Sequence, residues 1–375
     1  MTDATRRVLR VCVRSLFSGP ALPWLILPLL FAANPQADAA EFMIATDVDG
    51  QRFEGRPLFW SQDRVQLMLR DGRLFEFPTT SATNFSKTAD HFKSYSAAEV
   101  RSRLAAELGQ DFEITSTGHY LVAHPKGQRD RWARRFEDLH RQFVHYFTVR
   151  GFEVEEPSFP LIAIVWKNQD EYRRHAVRTG TAVGKNVLGY YSPKTNRVHL
   201  YDEADDKMSR KAWQRNASTI IHEVTHQTAF NTGVHRRFTG CPRWVAEGLG
   251  LMFEAPGVYD SARHPLPQDR INRAQLANFR RVASQQAKAE LVEMIASDQR
   301  FRNNVRLAYA QSWAFSYYLA ETQPRRYTEY LARTSRRKPG TIYSSTERLS
   351  DFTAVFGDNF DMHQSRFEQF MRDLP

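Results

Sequence analysis

The stretch "HEVTHQ", residues 222–227, limits what this chain can fold into more than any other part of it. Its two histidines stand four apart, and a helix brings side chains at i and i+4 to one side, within reach of a common point. Trp213, Ala217, Ile220, Ile221 and Val224 fall in one arc of a helical wheel, while His222 and His226 sit together on roughly the opposite side. The pattern predicts an amphipathic helix over 213–230 that buries the apolar arc and presents two imidazoles. Glu223 is rotated about a quarter turn towards the same side.

Two neutral imidazole nitrogens are a usual start to a zinc site. Beside them a glutamate can reach a water at the ion without being a ligand, take its proton as the water attacks a carbonyl, and deliver that proton to the leaving amine. The chemistry suggested is amide hydrolysis. Asn231 and Gly233 end the helix as C-cap residues do. A second helix is expected from near Pro242 in "CPRWVAEGLGLMFE", with Glu247, 21 positions beyond His226, facing inward among Trp244, Leu251 and Met252. A lone carboxylate in so apolar a setting needs a partner, and a metal ion is one. Glu254, seven residues on, would face much the same side and is the reserve ligand.

His222-Glu223-x-x-His226 followed by Trp244-Val-Ala-Glu247-Gly248 resembles the gluzincin zinc metallopeptidases over roughly residues 112–331, and within them poorly characterised exported bacterial proteins. The resemblance implies that His222, His226 and Glu247 hold Zn2+, that Glu223 is the general base, and that the strand before the metal helix, residues 197–201, binds extended substrate. Many gluzincins support the first histidine with a carboxylate four residues after the glutamate ligand. This chain has Leu251 there, which leaves that support unassigned. The metzincin pattern is excluded, because Ala229 and Thr232 occupy its glycine and third-histidine places.

Tyr309 in "AYAQSWAFSYYL" is the candidate for stabilising the oxyanion, against the alternative of a helix-packing tyrosine. His235 in "GVHRRF" reads as a surface histidine among arginines, with a place near the metal as the other option. Gln311 and Trp313 read as packing, and Cys241 as no nucleophile, since no basic partner is placed for it.

The chain opens with four arginines, an apolar run over 21–33 and Ala37-Asp38-Ala39, which is the order of a secretory signal over residues 1–39. The run is short for a bilayer and holds Pro23 and Pro28, so cleavage and export to the periplasm or beyond are expected, with an uncleaved anchor as the alternative. The mature chain would keep 48 basic and 40 acidic residues, a net charge of +8, and Cys241 as its single cysteine, which rules out an internal disulfide. The excess favours anionic surfaces. The basic residues are scattered among acidic ones with no stripe interleaved with aromatics, which argues against nucleic acid.

Residues 42–80 read as a small β unit in which "RVQLMLR" alternates, Asp71-Gly72 turns and "RLFEFP" returns. This segment resembles the small SH3-like module of the Sla1 homology type, which implies a protein-binding or packing role; a β extension packed on the main domain is the other reading. Residues 81–110 are expected to be a polar linker and a bridging helix that starts at a Ser96/Glu99 capping box and ends at Gly109. Over 111–375 we expect an α+β domain of gluzincin type: strands over 112–125, 161–166, 188–191 and 197–201, an aromatic core stripe (Trp132, Phe136, Leu139, Phe143, Phe147), and a helical second half. The function expected is zinc-dependent hydrolysis of a peptide or protein substrate. A non-catalytic exported metal-binding or protein-interaction protein and a hydrolase of cell-wall peptides or amides are the alternatives.

Overall fold

In the computed structural model, which describes residues 42–127, 132–184, 187–201, 210–283 and 291–375, the first sheet is an antiparallel set of β1 (Met43–Val48), β2 (Gln51–Trp60), β3 (Arg64–Leu69), β4 (Leu74–Pro78) and β5 (Ala82–Ala89), in the order β4-β3-β2-β1-β5. The hairpin at Asp71-Gly72 forms where expected. Gly72 takes φ 83°, and a Cβ there would lie 3.0 Å from the Phe159 ring, so both the turn and its packing require glycine. The expected linker starts too early, because residues 82–89 return as β5 and pair antiparallel with β1. β5 is a polar edge strand with half its residues exposed, so it carries no apolar alternation to announce it.

Helix α1 (Ala97–Leu108) begins at the predicted box: the Ser96 side chain accepts from the Glu99 amide and the Glu99 carboxylate from the Ser96 amide, and Gly109 closes the helix. The second sheet holds β6 (Phe112–Ser116), β7 (Tyr120–Pro125), β8 (Leu161–Trp166), β9 (Gly189–Ser192) and β10 (Arg197–Tyr201), in the order β6-β7-β8-β10-β9. β7, β8 and β10 run parallel, and β6 and β9 are antiparallel edges.

Both faces of this sheet are covered. Leu161, Ala163 and Val165 face α2 (Ala133–Thr148) and α4 (Arg210–Asn231), packing with Phe136, Ile220 and Val224. Ile162, Ile164 and Trp166 face α1 and α3 (Gln169–Arg178), packing with Val100, Leu104 and Tyr172. A strand buried on both sides has no polar face to show, which is why "LIAIVW" reads as an unbroken apolar run.

The rest is helical: α5 (Arg243–Phe253), α6 (Pro256–Tyr259), α7 (Arg273–Ala283), α8 (Leu291–Ala296), α9 (Arg300–Asn303), α10 (Val305–Thr322), α11 (Pro324–Ser335), α12 (Ser345–Phe356) and α13 (Phe360–Asp373). α10 is apolar nearly all round and is buried accordingly, with Trp313, Phe315 and Leu319 at its centre. α4 therefore belongs to the sheet layer and α5 to the helical layer. Their contact is where the two halves meet.

The first sheet docks on this body through its β3–β4 end. The Leu74 amide donates to the Lys194 carbonyl (2.8 Å), Arg237 Nη1 to the Gly72 carbonyl (2.7 Å), and Leu58 and Met68 pack on Phe159. Among the described residues no helix is long and apolar enough to cross a membrane. The expected signal lies outside them.

Candidate metal centre

His222 and His226 project from the face of α4 that meets α5, and Glu247 from the face of α5 that meets α4. Their donor atoms form a small triangle: His222 Nε2 to His226 Nε2 3.0 Å, His222 Nε2 to Glu247 Oε2 3.3 Å, and His226 Nε2 to Glu247 Oε2 3.5 Å. Ligands at zinc–donor distances of 2.0–2.2 Å in a tetrahedron lie about 3.4 Å apart. The two rings stand at 87° to each other, so their lone pairs converge instead of stacking. Three electron-pair donors this close, each with only 12–13% of its side chain exposed, need a proton or a cation between them. On geometry and on donor chemistry the three residues fit a zinc ion.

The groups behind the triangle fix its orientation. Glu254 Oε1 lies 2.9 Å from His222 Nδ1, and Asn272 Nδ2 donates to Glu254 Oε2 (3.1 Å) and to the Leu251 carbonyl (3.0 Å). A carboxylate on Nδ1 holds the proton there and leaves Nε2 free to ligate. This corrects the reading of Glu254 as a reserve ligand, since it occupies the opposite nitrogen of His222. It also supplies the support that Leu251, buried in the core, cannot. Changing Glu254 to Gln is accordingly expected to weaken zinc binding about 10–100-fold without abolishing it, as read by competition with a zinc indicator; unchanged affinity would remove Glu254 from the centre. Glu247 turns its other oxygen, Oε1, to Arg243 Nε at 3.5 Å.

The electrostatics follow from burial and these contacts. Burial works to lower the pKa of His222, but hydrogen bonds to Glu247 and Glu254 outweigh it and hold the imidazole well above its usual range. Burial would raise Glu247, yet its bonds to His222 and His226 keep it well below the usual carboxylate range. Glu223 is raised, chiefly by burial, against the opposing influence of His222 and His226. Its Oε2 accepts the Tyr191 amide at 2.6 Å, which ties the carboxylate to β9.

Tyr309, on α10, is half-buried against Phe301 and lies near Glu247 and Arg243. Burial, and after it the charge of Glu247, push its pKa up, so the phenol keeps its proton and is a donor. His235 corrects the surface reading: it is 1% exposed, its ring lies 5.2 Å from Phe230, and neither ring nitrogen has a hydrogen-bond partner. Burial pushes the Cys241 thiol up to about 12, which excludes it as a nucleophile. Gln311 bonds Arg300 (2.6 Å) and Trp313 is fully buried, both as packing residues.

The role expected of residues 197–201 does not suit their place. β10 is paired on one side with β8 and on the other with β9, so it has no free edge for an extended peptide. The edge strand beside Glu223 is β9. Strand order depends on contacts far apart in sequence, and no local pattern reveals it.

A second group, His119, Glu137 and His140, went unnoticed in the sequence. Glu137 already accepts from the Thr117 hydroxyl (2.7 Å), the His119 amide (2.9 Å) and His119 Nδ1 (2.7 Å). The three offer one donor atom each within 4.8 Å of one another, and the His119 and His140 rings stack 4.1 Å apart at 24°, where those of His222 and His226 stand at 87°. This group pins the β6–β7 turn to α2.

A family profile described as "Protein of unknown function (DUF1570)" matches residues 216–341, a span that includes all three donors and Glu223. No curated protein matches the chain. Similar solved structures include the M1 zinc metallopeptidase from Deinococcus radiodurans (12% identity, TM-score 0.39, 70% of this chain and 52% of that one). A mutant of that enzyme bound to a Tyr-Ser-Ala substrate is also similar (13% identity, TM-score 0.37, 70% and 52%). The chain spans about half the length of these structures.

Proposed function

We propose that the protein is a zinc-dependent hydrolase of peptide bonds with a gluzincin-like catalytic domain, exported by its N-terminal segment. The observation that carries this reading is the triangle of His222, His226 and Glu247, with Glu223 buried beside it on the same helix. A site serving only to clamp the fold has no use for an additional carboxylate there. Bound zinc would supply Lewis-acid polarisation and lower the pKa of a water at this point.

Glu223, anchored through Oε2 by the Tyr191 amide, has its other oxygen to accept the proton of the attacking water. It then passes that proton to the amide nitrogen as the C–N bond breaks, leaving a carboxylate and an amine. Tyr309 donates its phenolic hydrogen to the oxygen that gains negative charge during the addition. β9 offers its outer edge to an extended substrate, and its attachment to Glu223 places the scissile bond relative to the base. For the first sheet the SH3-like reading is supported by a meander whose fifth strand returns to the first. Its docked β3–β4 end favours packing on the body over capture of a separate protein at that end.

The test is the zinc content of the purified protein, with cleavage of a mixed peptide pool before and after chelation. About one zinc per chain is expected, with cleavage lost on chelation and restored by zinc. Full zinc occupancy without cleavage would leave a non-catalytic metal protein, and failure to bind zinc would end the proposal altogether.

A further inference from the structure

Strands β2 and β3 of the first sheet, the segment before β8, the loop after α4 and the segment after α11 line a pocket of about 460 Å3 whose walls include none of the zinc triangle. Five arginines line it (Arg56, Arg236, Arg237, Arg336 and Arg337), with Glu155 as the acid in the same wall. Arg236 is matched by Glu155 at 3.0 Å and Arg337 by Glu347 at 2.7 Å and Asp351 at 3.7 Å, while Arg56 lies over the Phe92 ring at 5.4 Å.

Arg237 is in a different position. It is 8% exposed, its Nη1 donates to the carbonyls of Gly72 (2.7 Å) and Pro193 (3.1 Å), and its Nη2 meets the thioether of Met68 at 3.6 Å. Among the described residues no carboxylate lies within ion-pair distance of it. A guanidinium stays charged when buried, and carbonyl dipoles, a thioether, the Tyr191 hydroxyl and the more distant charge of Asp71 are a weak substitute for a paired counter-ion. Next to Arg237 in the wall is His235, whose two ring nitrogens are buried and unpartnered. A buried cation without a paired carboxylate and a buried imidazole without a hydrogen-bond partner line one cavity rimmed by further arginines.

We infer that this pocket binds an oxyanion group, a carboxylate or a phosphate, with Arg237 and His235 as its inner contacts and Arg336 at its rim. Planar guanidinium groups suit both anions. The volume lies within the range of small-molecule sites and exceeds what a single anionic group fills, so the group belongs to a larger ligand or to the acidic end of a peptide. Because the first sheet and the body both contribute walls, occupancy also ties the two together. The site stands on its own contacts and does not depend on hydrolysis by the zinc centre.

The experiment is calorimetric titration of the purified protein, at fixed ionic strength, with inorganic phosphate and separately with glutarate. The same titrations are run on Arg336→Ser, an exposed change that leaves packing intact, and His235→Phe, which keeps the ring against Phe230. One saturable site for at least one anion is expected, weakened on the order of tenfold in each variant. The anion that binds identifies the group as phosphate or carboxylate. Saturable binding of neither anion at millimolar concentrations, or binding unaltered in both variants, would overturn the inference.

Discussion

Glu223→Gln is expected to leave zinc in place and to lower kcat by a factor of about 10²–10⁴. Glutamine has the same shape, and its carbonyl oxygen can still accept the Tyr191 amide that sits 2.6 Å from the carboxylate, so the local structure is kept. The amide side chain cannot take up the proton of the attacking water. In the proposed role as base, Glu223 would act on the transition state without binding substrate in its ground state, so KM should change little while kcat and kcat/KM fall together. Zinc stoichiometry and peptide cleavage measured on one preparation decide the matter. Equal kcat in mutant and parent would remove Glu223 as the base, and loss of zinc would make it a ligand instead.

The triangle itself was legible because each of its parts is local. The two histidines are set by the period of one amphipathic helix, and Glu247 by the inward face of another. What the sequence hid is how the two helices meet. Glu254, at the C-cap of α5 with helical backbone angles (φ −64°, ψ −17°), stays on the side that carries Glu247, and the two carboxylates meet different nitrogens of the one His222 ring. A seven-residue spacing read as one continuous helical face could only suggest a second ligand on the same side. Tyr191 was missed for a similar reason: its contribution is a backbone amide, which no side-chain pattern encodes.

His235 and Arg237 show a further limit. "GVHRRF" is as polar as any surface loop, yet two of its side chains turn inward, one against Phe230 and one to the carbonyls of Gly72 and Pro193. Gly72 lies 165 positions away in the chain, so this burial is decided by a docking event that no window of sequence contains. The two layers of the body were easier to read, since an unbroken apolar strand and an apolar helix both imply cover on every side.

The two glycines of α5 are expected to separate the centre from the fold that carries it. A Cβ on Gly250 would lie 2.8 Å from His222 Cε1, 3.0 Å from Nδ1 and 3.1 Å from Nε2. With Glu254 holding Nδ1, the ring cannot yield to it without leaving the triangle. Gly250→Ala should thus weaken zinc binding by on the order of a hundredfold. The metal-free protein should melt no lower than the parent, because alanine favours a helix over glycine by about 1 kcal/mol. At Gly248 the obstacle is different: a Cβ would lie 2.2 Å from Ser316 Oγ and 2.4 Å from the Ser312 carbonyl oxygen, so α5 and α10 must move apart. That change should cost about 1–3 kcal/mol of stability, seen as a lower Tm with or without zinc. Thermal melts and zinc affinities of both variants, measured side by side, test the pair. If Gly250→Ala binds zinc as tightly as the parent, the His222 ring is not confined as the structure shows, and the three donors cannot be the ion's fixed frame.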